Sequence, residues 1–153
     1  MSVSDDAVKA LVYHSCLALD QNDYSDYLAL CAEEMRYQIT YYSPEIGKDV
    51  ILMNYSRTGL AALFETLADH IKLPGELIRH ASVYECVRKR YGKVAKVTTS
   101  LLVVRTDPEG LSHILAAGRY FDFIDVTGPV PMLLSRTLRL QTRDIGIGTE
   151  VPF

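Results

Sequence analysis

Apolar residues recur at helical spacing in the N-terminal half of the chain and alternate with polar residues in the C-terminal half. Val8, Leu11, Val12, Ser15 and Leu19 make one buried stripe. Ser2 or Ser4 can cap that helix, and Asp5 and Asp6 suit the positive end of its dipole. Residues 20–23 break the pattern. Asp23 followed by Asp26 predicts a capped short helix with Tyr24, Tyr27, Leu28 and Cys31 on its inner face, closed by Glu33 and Glu34. Residues 35–42 are β-branched and aromatic enough to form a strand. Residues 43–57 lack clear periodicity, contain Pro44 and Gly47, and read as a loop with a short extended piece. A third helix follows, capped by Thr58, with Leu60, Leu63, Phe64, Leu67 and Ile71 on its apolar face and Pro74-Gly75 ending it.

From Arg79 the period is two. Segments 79–90, 93–105, 112–125 and 131–144 read as four long strands, separated by turns at 91–92, 107–110 and 126–130 that carry Gly or Pro. In the second strand Ala95, Val97, Thr99, Leu101 and Val103 share a face. His113, Leu115, Ala117, Arg119, Phe121 and Phe123 share one in the third. In the fourth, Leu134, Leu138 and Leu140 alternate with Arg139, Gln141 and Arg143. Gly118 reads as a bulge where the sheet bends. Long strands with one apolar face need a cover, and the upstream helices supply it. The expected fold is α+β: a curved antiparallel sheet, a half-barrel cone, covered by three N-terminal helices. Residues 1–153 read as one domain, with the Gly-rich tail 145–153 packed as an arm on this domain or on a neighbour.

Composition narrows the functional classes. A net charge of −3 and a pI near 5.8 argue against nucleic-acid binding, and the basic cluster Arg88-Lys89-Arg90 reads as a solvated hairpin. Cys16, Cys31 and Cys86 have no C-x-x-C spacing and suit a reducing cytoplasm. The acidic, polar start is unlike a signal peptide, and no apolar run approaches the roughly eighteen residues that span a bilayer. The expected location is cytoplasmic. No Cys has a His two or three residues on, so no Rieske centre is expected here. His14, His70, His80 and His113 fall on different elements, so no metal site is expected either. Gly146-Ile147-Gly148 opens no helix and is no dinucleotide fingerprint.

One set of spacings goes further. Tyr13 lies seven residues before Asp20 in Leu19-Asp20, followed by Tyr27-Leu28-Ala29-Leu30, the acids Glu33-Glu34, and Arg36-Tyr37 opening a strand. Downstream come Arg79-His80 before a strand and Arg136-Thr137 before an alternating Leu-Arg-Leu run. In this order the chain resembles the nuclear-transport-factor-2-like (SnoaL-like) superfamily, and within it the small (β) subunit of Rieske non-haem iron ring-hydroxylating dioxygenases. Residues 42–49 and the Gly-rich ending depart from the aromatic-dioxygenase pattern and look like the alkanesulfonate (methanesulfonate) monooxygenase branch. The resemblance implies a non-catalytic subunit that assembles large (α) subunits. The Rieske [2Fe-2S] cluster and the mononuclear Fe(II) would both lie in that partner. It also implies self-association as a trimer within a hetero-hexamer. Arg119, Arg136, Arg139 and Arg143 are then candidates for inter-subunit ion pairs, because guanidinium forks suit carboxylate contacts.

Two rival readings use the same fold. One is a stand-alone pocket enzyme, an isomerase or dehydratase, with polar groups from Tyr13, His14, Tyr41 and His80, and with His113 and Asp122 from the sheet. A desolvated Asp with a raised pKa would be its base and a Tyr hydroxyl its enolate stabiliser. The odd spacing of nine between His113 and Asp122 puts them on opposite faces of an uninterrupted strand. The other rival is a homo-oligomeric binding domain.

Overall fold

A computed structural model describes residues 3–69, 75–144 and 152–153. The chain runs α1 (Asp5–Asp20), α2 (Tyr24–Ala29), β1 (Cys31–Ser43), β2 (Lys48–Ser56), α3 (Arg57–Asp69), β3 (Glu76–Lys89), β4 (Val94–Thr106), β5 (Ser112–Asp125) and β6 (Met132–Leu140). The strands form one six-stranded sheet in the order β2-β1-β6-β5-β4-β3. It is the expected α+β cone, and the helices cover its concave face. One strand pair departs from the expectation: β1 runs parallel to β6, while every other pair is antiparallel. The chain leaves β2 through α3, crosses to β3 at the far edge and returns strand by strand to lie beside β1.

Local chemistry sets the helix starts. Ser4 Oγ accepts from the Ala7 amide at 3.1 Å, and Asp23 Oδ1 accepts from the Asp26 amide at 3.1 Å. The third helix begins one residue before Thr58. Ser56 Oγ, not Thr58, takes the free amide, that of Gly59, at 3.1 Å. Tyr24 stacks on Phe64 with ring centroids 4.4 Å apart, and Tyr27 meets the same ring edge-on, so α2 and α3 are joined by aromatic contact. Ser2, His70, Ile71 and Pro74, and most of the tail, lie outside the described residues.

Five expectations about strands are corrected. Residues 48–56, read as loop, are strand β2, paired with β1 from Arg36↔Ser56 to Ser43↔Lys48 and turned at Gly47 with φ +67°. The strand is an edge whose residues are exposed or half-buried, so it lacks the apolar alternation that marks a core strand. β1 begins at Cys31, ahead of the acids, because an irregular stretch between Cys31 and Arg36 lets Glu33 and Glu34 face solvent within the strand. Cys31 therefore belongs to β1, not to α2.

The buried face of β5 is the opposite of the one predicted. Ala116, Tyr120, Asp122 and Ile124 face the core, while Phe121 and Phe123 lie on the outer face and are only half-buried. In β6 the core face is Leu133, Arg136, Leu138 and Leu140, without Leu134. The bulge sits at Leu115, where pairing shifts between Val103↔Ala116 and Val104↔Ile114, and not at Gly118. Gly118 stays in register with Leu101 and Leu140. A Cβ there would stand 2.4 Å from the Arg139 carbonyl oxygen, so glycine is what allows β5 and β6 to approach.

Candidate functional site

The interior of the cone is built around one arginine. Asp122 on β5 and Arg136 on β6 are register partners, so their side chains leave the same face side by side. Arg136 donates from Nε to Asp122 Oδ1 at 2.9 Å and from Nη2 to Oδ2 at 3.0 Å, a two-pronged contact with both side chains fully buried. Its remaining nitrogen, Nη1, donates to Ser15 Oγ on α1 at 2.9 Å, and Ser15 in turn donates to the Val12 carbonyl. The guanidinium also lies 3.9 Å from the centre of the Tyr120 ring. This one side chain therefore ties β5, β6 and α1 together. Burial pushes the Asp122 carboxyl up while the Arg136 charge draws it down, and Arg136 is held protonated by the carboxylate beside it.

A second clasp binds α1 to the edge strand. Asp20 accepts from the Arg79 backbone amide at 3.1 Å and from Arg79 Nη1 at 2.8 Å. About two turns up the same helix, Tyr13 accepts from the Val83 amide at 3.2 Å. Two outward-facing amides of the edge strand β3 are thereby satisfied by α1, which keeps that edge from pairing with another chain. A groove of about 630 Å³ remains between α1 and β3, lined by Tyr13, Asp20, Arg79 and Ser82 among others.

The candidate pocket residues are brought together only in part: Tyr13 and His80 both line the groove between α1 and β3, while His14 and Tyr41 lie elsewhere. Tyr13 is used to cap the sheet edge and is 44% exposed. His14 lies on the exposed side of α1, 2.7 Å from Asp26. His80 is exposed, on the outer face of β3. Only Tyr41 belongs to the inner face, half-buried against the core cluster near the end of β1. Because of the bulge at Leu115, His113 pairs with Arg105 and returns to the same face as Asp122, so parity does not separate them. Distance does: His113 is exposed near the start of β5, whereas Asp122 lies deep in the core.

Arg136 is also corrected. It was a candidate for a contact between subunits, but it is 1% exposed and committed to Asp122 inside the chain. The other three arginines are at the surface. Arg139 reaches Asp49 at 3.2 Å and Arg143 reaches Glu45 at 2.9 Å, while Arg119 has no partner among the described residues. Arg119 and Arg139 stand directly opposite each other on the outer face. Phe121 pairs with Thr98 and Thr137 in the next row, and Phe123 with Lys96 and Ser135 in the row after. Two aromatics with arginines beside them, among small hydroxyl residues, give the composition of a protein-binding face. Among the described residues no group of three His, Cys, Asp or Glu side chains is placed to hold a metal ion.

Buried phenols and a buried thiol give the interior a pH signature. Burial raises Tyr27, Tyr37 and Tyr120 above the ordinary value of 10.0 and pushes the Cys31 thiol from 9.0 up to about 11. Above pH 9 the unfolded chain releases protons that the folded chain keeps, so stability falls as pH rises. Each such group contributes about 1.4 kcal/mol per pH unit once it is ionised only in the unfolded state. Phenolate absorbance during an alkaline titration therefore tests Tyr27, Tyr37 and Tyr120. These three should appear only with the loss of near-ultraviolet circular dichroism. Ionisation of all ten tyrosines in one smooth step before unfolding would contradict their burial.

Comparison with known proteins places this architecture. No family model matches the chain. The chain is 31% identical to the methanesulfonate monooxygenase hydroxylase subunit β of Methylosulfonomonas methylovora, over 96% of this chain and 86% of that protein. It is 25% identical to the 2-aminobenzenesulfonate 2,3-dioxygenase subunit β of an Alcaligenes species, over 95% of this chain and 97% of that one. Among solved structures, the β subunit assigned to an aromatic-ring-hydroxylating dioxygenase of Novosphingobium aromaticivorans superposes with a TM-score of 0.83 at 21% identity, covering 95% of this chain and 94% of that one. With sequence likeness along nearly its whole length and the cone fold in common, the chain belongs to the family of small (β) subunits of Rieske non-haem iron oxygenases of the ring-hydroxylating type.

Proposed function

We propose that this chain is the structural small subunit of a multicomponent Rieske oxygenase that acts on a sulfonate, and that it assembles the catalytic large subunits without an active site of its own. The observation that carries the reading is the state of Asp122. It is the one fully buried carboxylate among the described residues, and both of its oxygens are taken by Arg136. A general base needs a free lone pair within reach of substrate. Here the group best placed to be one is a structural tie. The names of both sequence relatives specify a sulfonate, which supports that substrate class for the complex.

On this reading the Rieske [2Fe-2S] cluster and the mononuclear Fe(II) belong to the large subunit. This chain supplies rigid placement. Electrons that pass between neighbouring large subunits cross a fixed distance only if those subunits are held in one arrangement, and a trimer of small subunits within a hetero-hexamer holds them so. The cone is suited to this role because α1 is fastened to the sheet by the Asp20–Arg79 ion pair and by the Ser15–Arg136 hydrogen bond, leaving the outer sheet face free for contact. Affinity capture of this chain from its native cell tests the proposal. A large subunit carrying C-x-H and C-x-x-H ligand pairs is expected in the captured material.

A further inference from the structure

The most unusual feature of the interior is what fills it beside Arg136. Phe153 is 1% exposed, although 116 residues separate it from its hydrogen-bond partner Tyr37. The Phe153 amide donates to the Tyr37 hydroxyl at 2.9 Å, and the Tyr120 hydroxyl donates to the Phe153 main-chain oxygen at 2.7 Å. Arg79 Nη2 donates to the Pro152 carbonyl at 2.9 Å while its Nη1 holds Asp20. Three polar side chains from three strands thus read the main chain of two residues, and a ring is buried with them. This is how a protein recognises a ligand: a large apolar group in a desolvated site, oriented by a few directed polar contacts.

We infer that the interior of the cone is a binding site for an N-acylated aromatic amino acid, occupied in cis by Pro152-Phe153. The acyl carbonyl is read by Arg79, the amide by Tyr37, the following carboxyl or carbonyl oxygen by Tyr120, and the ring is taken up by the core. Two further polar atoms in this interior have no partner among the described residues. One is Nε of the same Arg79 guanidinium; the other is Oγ1 of Thr99, which lies in register with Tyr120 on the inner face. The site thus has more hydrogen-bonding capacity than its present occupant uses. Its recognition chemistry concerns binding alone and stands whether or not the chain serves an oxygenase.

The test vacates the site and refills it. Phe153→Ala in the full chain removes the ring and keeps both main-chain contacts, and the melting temperature is expected to fall by about 10 °C. A chain stopped after residue 151 removes the whole occupant. Millimolar N-acetyl-L-phenylalanine should raise the melting temperature of the shortened chain by several degrees, and calorimetry should show one site. The unaltered chain, already occupied, should not respond, and N-acetyl-L-alanine should raise neither. Adding Tyr120→Phe to the shortened chain should weaken the response at least tenfold in ligand concentration. The amide of N-acetyl-L-phenylalanine reports whether the free carboxylate is preferred. If the shortened chain does not fold unaided, refolding in the presence of the ligand replaces the melting assay, and failure to recover folded protein counts against the site. An unchanged melting temperature for Phe153→Ala, or an equal response to the alanine compound, would overturn the inference.

Discussion

Replacing Asp122 with asparagine is expected to destabilise the fold by about 3–5 kcal/mol, measured by urea unfolding, because it strands a buried charge. Arg136 and Asp122 are both fully buried, and the carboxylate supplies the counter-charge along two hydrogen bonds. An asparagine keeps the shape and one acceptor but removes the charge. The guanidinium is then left desolvated without a counter-charge, with only the remaining amide oxygen, Ser15 and the Tyr120 ring beside it. A loss of this size is a large share of the roughly 5–15 kcal/mol that holds a domain together. The companion variant carries Asp122→Leu together with Arg136→Met. It removes both charges and should recover most of the loss, since a buried pair can be exchanged for apolar packing at little net cost. Stability of Asp122→Asn within about 1 kcal/mol of the parent would mean that the pair is not the tie described.

Reversing two charges on the outer face should separate folding from assembly. Arg119 and Arg139 are register neighbours at the surface, and one of them has no partner within the described chain. If this face meets acidic groups on another subunit, Arg119→Glu with Arg139→Glu turns attraction into like-charge repulsion. Such juxtaposition costs several kcal/mol and lowers the association rate. The doubly altered chain should fold with an unchanged circular dichroism spectrum and melting temperature, yet fail to elute with the large subunit in size exclusion. Arg143→Glu, just beyond the end of β6 and paired with Glu45, serves as the control expected to have little effect. Full assembly by the double variant would move the interface elsewhere.

The fold was legible where burial imposes a period. β4, with Ala95, Val97, Thr99, Leu101 and Val103 all buried, reads directly from alternation. Helix α1 reads as directly from its stripe. The edge strand β2 was invisible because neither of its faces is fully covered, so no apolar alternation was imposed on it. In β5 the aromatic pair Phe121 and Phe123 outweighed a core face that carries an aspartate and a glycine. That same misreading hid the centre of the molecule. Asp122 and Arg136 are equidistant from Pro129 in the turn, so simple hairpin counting pairs them, and an acid facing an arginine across two apolar faces is a detectable signal. Arg136 was instead sought at the surface. The spacing of Tyr13, Asp20 and Arg79 was legible as a resemblance, and the structure gives its physical content: these residues clasp α1 to the sheet edge. At Pro152-Phe153 the arm expected of residues 145–153 does pack on this domain, but nothing in the local sequence shows that Phe153 turns into the core.

On the proposed function, the chemistry of this family member resides in a partner that the cone holds in place. Its most direct test is the visible absorption spectrum of the complex captured on this chain from the native cell. The spectrum should show a reducible Rieske [2Fe-2S] cluster, contributed by a co-purifying large subunit, while this chain purified alone should be colourless and turn over no sulfonate. A captured chain with no iron–sulfur absorption, or a neighbouring subunit without the C-x-H and C-x-x-H ligand pairs, would contradict the account.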